Sequence, residues 1–389
     1  MHMLVSDTSI ETSELITSIK AWPSMNTQRV KKIAAQSIDG ERRPVTAHDV
    51  AKLAGVSQSA VSRTFTKGAS VSDETRQKVT RAAKELGYRP NFLARSLITG
   101  RSKIIGVTIP GLSNQFYSAA LDSLSTIFSE AGYRIMLFST MPDETSDPIL
   151  EEVLRYRVDA LVLVSSSLSS HFADECQQIG LPVVLLNRKT NSKIASSVTG
   201  DNRNGAKAIG AFLVAGGHQR LAYIAGLESS STSRDREKGF SSYLAAKGFA
   251  APMRAVGNYS YESAAAATRE LLSRKAPPDA IFCANDYMAL AAINVARSEF
   301  NLTVGHNISI VGFDDTELAA WPTFSLTTYS QPIRTMVDRV VRIVIDTLLN
   351  KEMPSIQEVV PGQLVVRESA RIPAIGMKLI DGVRIWSSV

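Results

Sequence analysis

The sequence predicts an α/β protein in two parts: a small helix-turn-helix head, and a larger bilobed core on two parallel, doubly wound sheets. Three observations predict it. Residues 45–90 spell two capped helices across a glycine turn, followed by a third helix. Positive charge gathers in the same region: residues 45–103 hold 11 Lys and Arg against 4 Asp and Glu, while 104–389 hold 26 against 28. From Ile104 onward, short apolar runs alternate with helical stretches, the pattern of strands crossing through helices into parallel sheets. A chain of 389 residues is long enough for both parts.

Residues 1–44 are mixed and polar with little periodicity, and read as a disordered extension, with Met25 a second candidate start. In the head, 45–90, Thr46 and Asp49 have the spacing of a capping box. Val50, Ala51, Leu53 and Ala54 would form the apolar face of the first helix. Gly55 supplies the positive φ of a tight interhelical turn. Val56 would plug the corner. Ser57 is a good N-cap for the second helix, and Val61 and Phe65, four apart, share its inner side. Gln58, Ser59, Ser62 and Arg63 remain on the polar side, and Gln and Arg are the side chains that contact adenine and guanine edges bidentately. Ser72 caps a third helix that runs to about Leu86 and stops at Gly87. A solvated three-helix domain with a chance basic bias fits less well, because turn glycine, caps, polar face and local charge coincide. Such a head docks in a DNA major groove, with its charge set against phosphates.

The run Asp49-Val-Ala-Lys-Leu-Ala-Gly-Val-Ser-Gln-Ser-Ala-Val-Ser-Arg63 resembles the DNA-binding head of the LacI/GalR family of bacterial transcription regulators. Tyr88-Arg-Pro-Asn91 and Leu93-Ala-Arg-Ser-Leu97 resemble that family's hinge, which places a hinge helix and linker at 91–103. The resemblance implies that Leu97 wedges into the minor groove at the operator centre, where an inserted apolar side chain kinks DNA. The expected DNA-binding residues are Thr46, Ser57, Gln58, Ser59, Ser62, Arg63, Ser72, Thr75, Tyr88, Asn91, Arg95 and Leu97. Gln58 and Arg63 would read bases, while Ser57, Ser62, Ser72 and Thr75 would hold phosphates.

The core is expected over 104–373, with 374–389 a C-terminal tail. Strand-like runs fall at 104–109, 134–138, 160–164 and 183–186, then at 221–225, 280–284 and 308–313. Helices are expected near 115–131, 146–155 and 170–178, then near 203–215, 234–247, 261–273 and 286–298. Two such series suggest two lobes, with a ligand site in the crevice at the carboxyl ends of the strands. Those ends carry aromatic, Arg, Asn and Asp side chains, a flat face and directional hydrogen bonds for a small polar ligand. Asp314 and Asp315, adjacent on extended chain, point to opposite faces and make a poor catalytic pair.

The resemblance continues from about Ile104 to Arg371 and implies a core similar to periplasmic sugar-binding proteins. It is carried by Arg157-Val-Asp-Ala-Leu161, Gly216-Gly-His218, Arg236-Glu-Lys-Gly-Phe240, Cys283-Ala-Asn-Asp-Tyr-Met-Ala-Leu290, Ile310-Val-Gly-Phe-Asp-Asp315 and Leu326-Thr-Thr-Tyr-Ser-Gln-Pro332. By that likeness the effector contacts fall on Phe116, Tyr117, Asn187, Arg188, Arg236, Tyr259, Asn285, Asp314 and Gln331, a set suited to a pentose or hexose. Arg236 and Asp314 are expected to grip the effector rather than pair with other protein groups. Two departures bear on the ligand: many sugar-binding relatives have Asp where Asn187 stands, and the purine-binding branch has Arg where Ser230 stands.

An enzyme is not indicated. The five histidines are scattered, and there is no Walker loop, nucleophile elbow or His-Glu-x-x-His motif. His218 is expected to bond backbone locally. Cys176 and Cys283 lack metal spacing and read as buried thiols of a reducing cytosol. No apolar run is long enough to span a membrane, and the N-terminus does not read as a secretory signal. The tail carries no leucine heptads and does not read as a tetramerising helix. The sequence therefore points to a cytoplasmic, homodimeric regulator without cofactor or metal. It would bind a pseudo-palindromic DNA operator, most naturally as a repressor, under control of a sugar-like effector. A ligand-dependent activator is the alternative within the class, and a sugar-binding protein without a regulatory role is the alternative outside it.

Overall fold

The computed structural model describes residues 45–66, 68–89, 100–139, 152–165, 169–189, 195–350 and 353–387. The expected extension at 1–44, the hinge residues Asn91, Arg95 and Leu97, and most of the helix expected near 146–155 lie outside the described residues. The chain divides into two compact units, Met1–Phe92 and Leu93–Val389.

The head holds three helices: α1 (Ala47–Ala54), α2 (Gln58–Thr64) and α3 (Asp73–Leu86). The capping box on α1 is complete. Thr46 Oγ1 accepts from the Asp49 N–H, and the Asp49 carboxylate accepts from the Thr46 N–H at 2.9 Å. Gly55 turns the chain at φ 66°. Val50, Ala51, Val61, Val79, Ala82 and Ala83 form the core, with Phe65 and Tyr88 packed against it. Leu53, expected on the buried face, is instead 47% exposed. At 100° per residue it lies about 110° from the centre of the Val50–Ala51 face, so it turns outward. Arg76 Nη1 donates to the Thr64 carbonyl at 3.1 Å and ties α3 to α2.

The second unit has two lobes, each on its own sheet. The first holds β1 (Ile104–Ile109), α4 (Gln115–Glu130), β2 (Arg134–Ser139), β3 (Ala160–Val164), α5 (Ser170–Gln178), β4 (Val183–Leu186) and β5 (Ser196–Gly200). The second holds α6 (Asn202–Ala215), β6 (Leu221–Ala225), α7 (Ser231–Ala246), β7 (Met253–Val256), α8 (Tyr261–Leu272), β8 (Ala280–Cys283), α9 (Asp286–Ser298), β9 (Ser309–Asp314), α10 (Glu317–Ala320) and β10 (Thr327–Ser330). The chain then returns to the first lobe for α11 (Ile333–Leu349) and β11 (Gln357–Val360), and crosses again for β12 (Leu364–Val365), β13 (Met377–Ile380) and β14 (Val383–Trp386).

The first sheet runs β11-β5-β4-β3-β1-β2, parallel throughout. The second runs β13-β14-β12-β10-β9-β8-β6-β7, parallel from β10 to β7 and extended at one edge by antiparallel strands. Residues 377–386, set in the tail by the sequence reading, are a hairpin on that edge.

Alternation along the strands separates the two faces of the first sheet. Ile105, Val107 and Ile109 face Phe116, Ala120, Leu124 and Phe128, which recur every four residues along α4. Leu161, Leu163, Val183 and Leu185 face the other way, toward Phe172 and Cys176 of α5. The second core centres on Tyr223, Phe240 and Phe282, with ring centroids 5.2–6.1 Å apart. Burying each such side chain stabilises the fold by roughly 1.5–3 kcal/mol.

The three crossings between lobes lie side by side. Asp201 N–H bonds the Val360 carbonyl at 3.0 Å, Ser330 N–H bonds the Gln363 carbonyl at 2.7 Å, and the Tyr329 hydroxyl donates to the Gly362 carbonyl at 2.9 Å. This seam faces the cleft on one side.

Candidate nucleic-acid interface and ligand cleft

On the head, Gln58, Ser59, Ser62 and Arg63 of α2 are all exposed, as are Thr46, Ser57 and Ser72; Thr75 is half-buried. Among the described residues Arg63 has no ion-pair partner, so its guanidinium is uncommitted. Ser57 Oγ accepts from the Ala60 N–H at 3.2 Å, and Ser72 Oγ accepts from the Thr75 N–H at 3.3 Å. Both hydroxyls therefore mark helix N-termini, where backbone N–H groups favour an anion such as phosphate. Tyr88 lies against Phe65 with centroids 5.9 Å apart, and burial raises its phenol. Its ring packs in the head core.

In the second unit, Phe116, Tyr117, Asn187, Arg188, Arg236, Tyr259, Asn285 and Asp314 line one narrow cleft between the lobes. Gln331 stands just behind, its Nε2 donating to Asp314 Oδ1 at 2.7 Å. The elements explain the convergence. Phe116 and Tyr117 open α4, Asn187 and Arg188 follow β4, Asn285 follows β8, and Asp314 ends β9, so all stand at carboxyl ends of parallel strands. Asn187 and Tyr259 take positive φ values of 62° and 56°, which turn them into the cleft.

Three further lining residues were not among those expected: Asn114, Ser165 and Thr232. Asn114 caps α4 through the Phe116 N–H at 3.0 Å. Ser165 directly follows β3, so the strand-end rule could have found it. Thr232 lies in the first turn of α7, which begins three residues earlier than expected because Ser230 caps it.

Arg236 is 2% exposed and fully engaged. Its Nε donates to Asn202 Oδ1 at 2.8 Å, Nη1 donates to the Ala284 carbonyl, and Nη2 lies 3.4 Å from Asp314 Oδ1. Its plane stacks on Phe313 at 3.8 Å. Arg236 and Asp314 thus pair with each other in this structure, contrary to the expectation of two independent grips. Side chains converging from α7 and β9 on one buried spot have each other as nearest countercharge. Burial raises the Asp314 carboxyl to about 7 against the opposing pull of Arg236. Deeper in the lobe, burial raises Asp286 to about 6 against hydrogen bonds from Thr328 and Thr316. Burial also pushes the Tyr117 phenol up to about 12.

Arg188 is 5% exposed, and its Nη1 donates to Thr232 Oγ1 across the cleft at 2.6 Å. Next to it, Lys189 Nζ meets Asp235 at 2.6 Å, and the Lys189 N–H reaches Ser231 Oγ at 3.0 Å. On the opposite side, Gln115 Oε1 accepts from the Leu318 N–H at 3.0 Å. The lobes are closed on each other by these contacts.

Asp315, by contrast, turns away from Asp314 to pair with Arg367 at 2.8 Å, so the two carboxylates diverge as expected. His218 faces Asp279 at 3.6 Å rather than a backbone group, and burial lowers its pKa. Both ring nitrogens are buried without a hydrogen bond, so the expected local backbone bond does not form. Cys176 and Cys283 are free and buried, and burial raises both thiols. Among the described residues there is no cluster of three metal-ligating side chains and no helix long and apolar enough to cross a membrane.

Comparison with known proteins agrees with this architecture. Residues 46–91 match the model of bacterial regulatory proteins of the lacI family, and residues 211–370 match a periplasmic binding protein-like domain. The HTH-type transcriptional regulator CelR of Thermobifida fusca is 30% identical over 341 residues, covering 85% of this chain and 100% of its own. The ribose operon repressor of Halalkalibacterium halodurans is 32% identical over 327 residues, 84% of this chain and 97% of its own. Among solved structures, a lac repressor dimer bound to operator and the anti-inducer ONPF superposes with a TM-score of 0.76 at 29% identity, over 84% of this chain and 99% of that one. A CelR–cellobiose complex superposes at 0.64, also at 29% identity, over 84% and 100%.

Proposed function

The chain belongs to the LacI family of bacterial regulatory proteins, and from that premise we propose a homodimeric repressor whose operator affinity is set by a small polyhydroxylated effector in the interlobe cleft. It is a regulator and not an enzyme. The observation that carries the reading is the closed cleft itself: residues from both lobes, at the ends of several strands and helices, converge on it. A ligand bridging the two lobes changes how they close, and it acts on DNA binding only if it prefers one closure state.

In the head, Gln58 and Arg63 read base edges. Ser57, Ser62, Ser72 and Thr75, with the first turns of α2 and α3, hold phosphates. The hinge over 91–103, with Leu97 as wedge, completes the DNA side. A two-fold dimer then reads a near-palindrome. The relatives named as repressors, such as the ribose operon repressor, favour repression over activation. On this reading the chain works at chromosomal DNA, in the cytoplasm.

Fluorescence anisotropy on a symmetric operator duplex tests this, titrated with and without sugars that raise the melting temperature of the chain. A stabilising sugar should shift the operator midpoint. A sugar that saturates the cleft yet leaves operator affinity unchanged would exclude regulation through that site.

A further inference from the structure

The cleft carries a charge that the protein does not balance. Two guanidiniums line it, Arg188 and Arg236, against one carboxylate, Asp314. Asp314 is taken by Arg236 and Gln331. Arg188 has only neutral partners: the Asn187 carbonyl and the Thr232 hydroxyl accept from its Nη1, and its buried Nε has no acceptor. Among the described residues no carboxylate lies within 4 Å of it. Burial lowers its pKa, and the cations Arg236 and Arg234 act in the same sense. Asn187, the residue before it, carries a neutral amide whose Oδ1 is also buried without a donor.

Resting on the cleft as the effector site, we infer that the effector is a small sugar acid whose carboxylate is held by Arg188 and whose hydroxyls meet Asn187, Asn285 and the Arg236–Asp314 pair. A buried cation without a counterion is costly, and a ligand anion removes that cost while gaining charge-assisted hydrogen bonds. One uncompensated positive charge matches one carboxylate better than a phosphate monoester, which carries about −1.5 to −2 at pH 7.

The test is calorimetry on the full chain with D-glucuronate, D-galacturonate and D-gluconate, against their parent aldoses and the aldose 6-phosphates. At least one acid should bind about tenfold or more tighter than its parent aldose. Arg188→Gln should erase that preference, and Arg188→Lys, which keeps the charge, should retain part of it. The inference is overturned if a parent aldose binds as tightly as its acid, or if no acid in the panel binds. It is also overturned if Arg188→Gln, shown folded by a cooperative melt, keeps the full preference. A phosphate that outbinds every acid overturns the carboxylate assignment. An acid that binds through Arg188 but leaves operator affinity unchanged overturns instead the regulatory reading, so the two failures are distinguishable.

Discussion

Arg63 stands exposed on α2 with its fork uncommitted, free to grip a guanine edge bidentately. Arg63→Ala should cost roughly 1–3 kcal/mol on the operator and little on random DNA, read as paired anisotropy titrations. Equal losses on both would reduce Arg63 to a phosphate clamp. In the cleft, Asp314 gives a pH signature. Its folded value of about 7 stands above the ordinary 3.8, so the folded protein holds that proton more tightly than the unfolded chain. The resulting stability is fully present below the lower value and fades as pH rises toward the upper one. Asp286, raised to about 6, acts in the same sense. Asp314→Asn should therefore gain stability relative to the parent as pH rises through that window, measured by denaturant titration. Parallel pH curves for the two proteins would show that Asp314 titrates in the ordinary range. Single residues were the most legible level of the cleft, because the aromatic, Arg, Asn and Asp side chains announce polar recognition. What the sequence did not convey was their mutual pairing. Arg236 and Asp314 lie far apart along the chain and meet only when α7 and β9 pack.

Elements were legible where burial leaves a pattern. β3, β4 and β6 are continuous apolar runs and β1 is broken only by Thr108, and each falls where it is expected, because strands buried on both faces read that way. β5 (Ser-Ser-Val-Thr-Gly) and β10 (Thr-Thr-Tyr-Ser) carry no apolar run, because most of their buried side chains are polar; several bond inside the core, while Thr199 Oγ1 has no partner. Ser196 Oγ accepts from the Ile356 N–H at 3.0 Å, and Thr328 Oγ1 donates to Asp286 at 2.6 Å. The close crossing of α6 and α7 is equally silent in sequence, yet it sets the position of Arg236 and Thr232. Gly239 permits it: a Cβ there would collide with the backbone carbonyl of Arg203. Gly239→Ala should destabilise the core by roughly 1–3 kcal/mol in chemical denaturation and weaken effector binding along with it. A variant as stable as the parent would show that the helices can separate freely. In the head, Thr46→Ala removes one half of the α1 capping box and should cost about 1 kcal/mol, lowering the melting temperature of the head transition.

At the scale of the whole molecule, two sheets joined by three adjacent crossings make one cleft with a seam behind it, and Asp201, Tyr329 and Gln331 sit on or beside that seam. The alternation of strands and helices foretold the two lobes. The threefold crossing was hidden, because it depends on α11 and β11 returning to the first lobe after the second is complete. On that return the Leu348 carbonyl of α11 accepts from Arg101 Nη2 at 3.1 Å, at the start of the core, and the central claim is that a cleft ligand sets operator affinity. The most direct measurement is operator binding by the full chain with the cleft calorimetrically saturated, in the parent and in Arg236→Ala. The account predicts that operator affinity changes about tenfold or more on saturation in the parent. The variant should bind operator but no longer respond. Operator affinity that stays the same in the parent at a saturated cleft would contradict it.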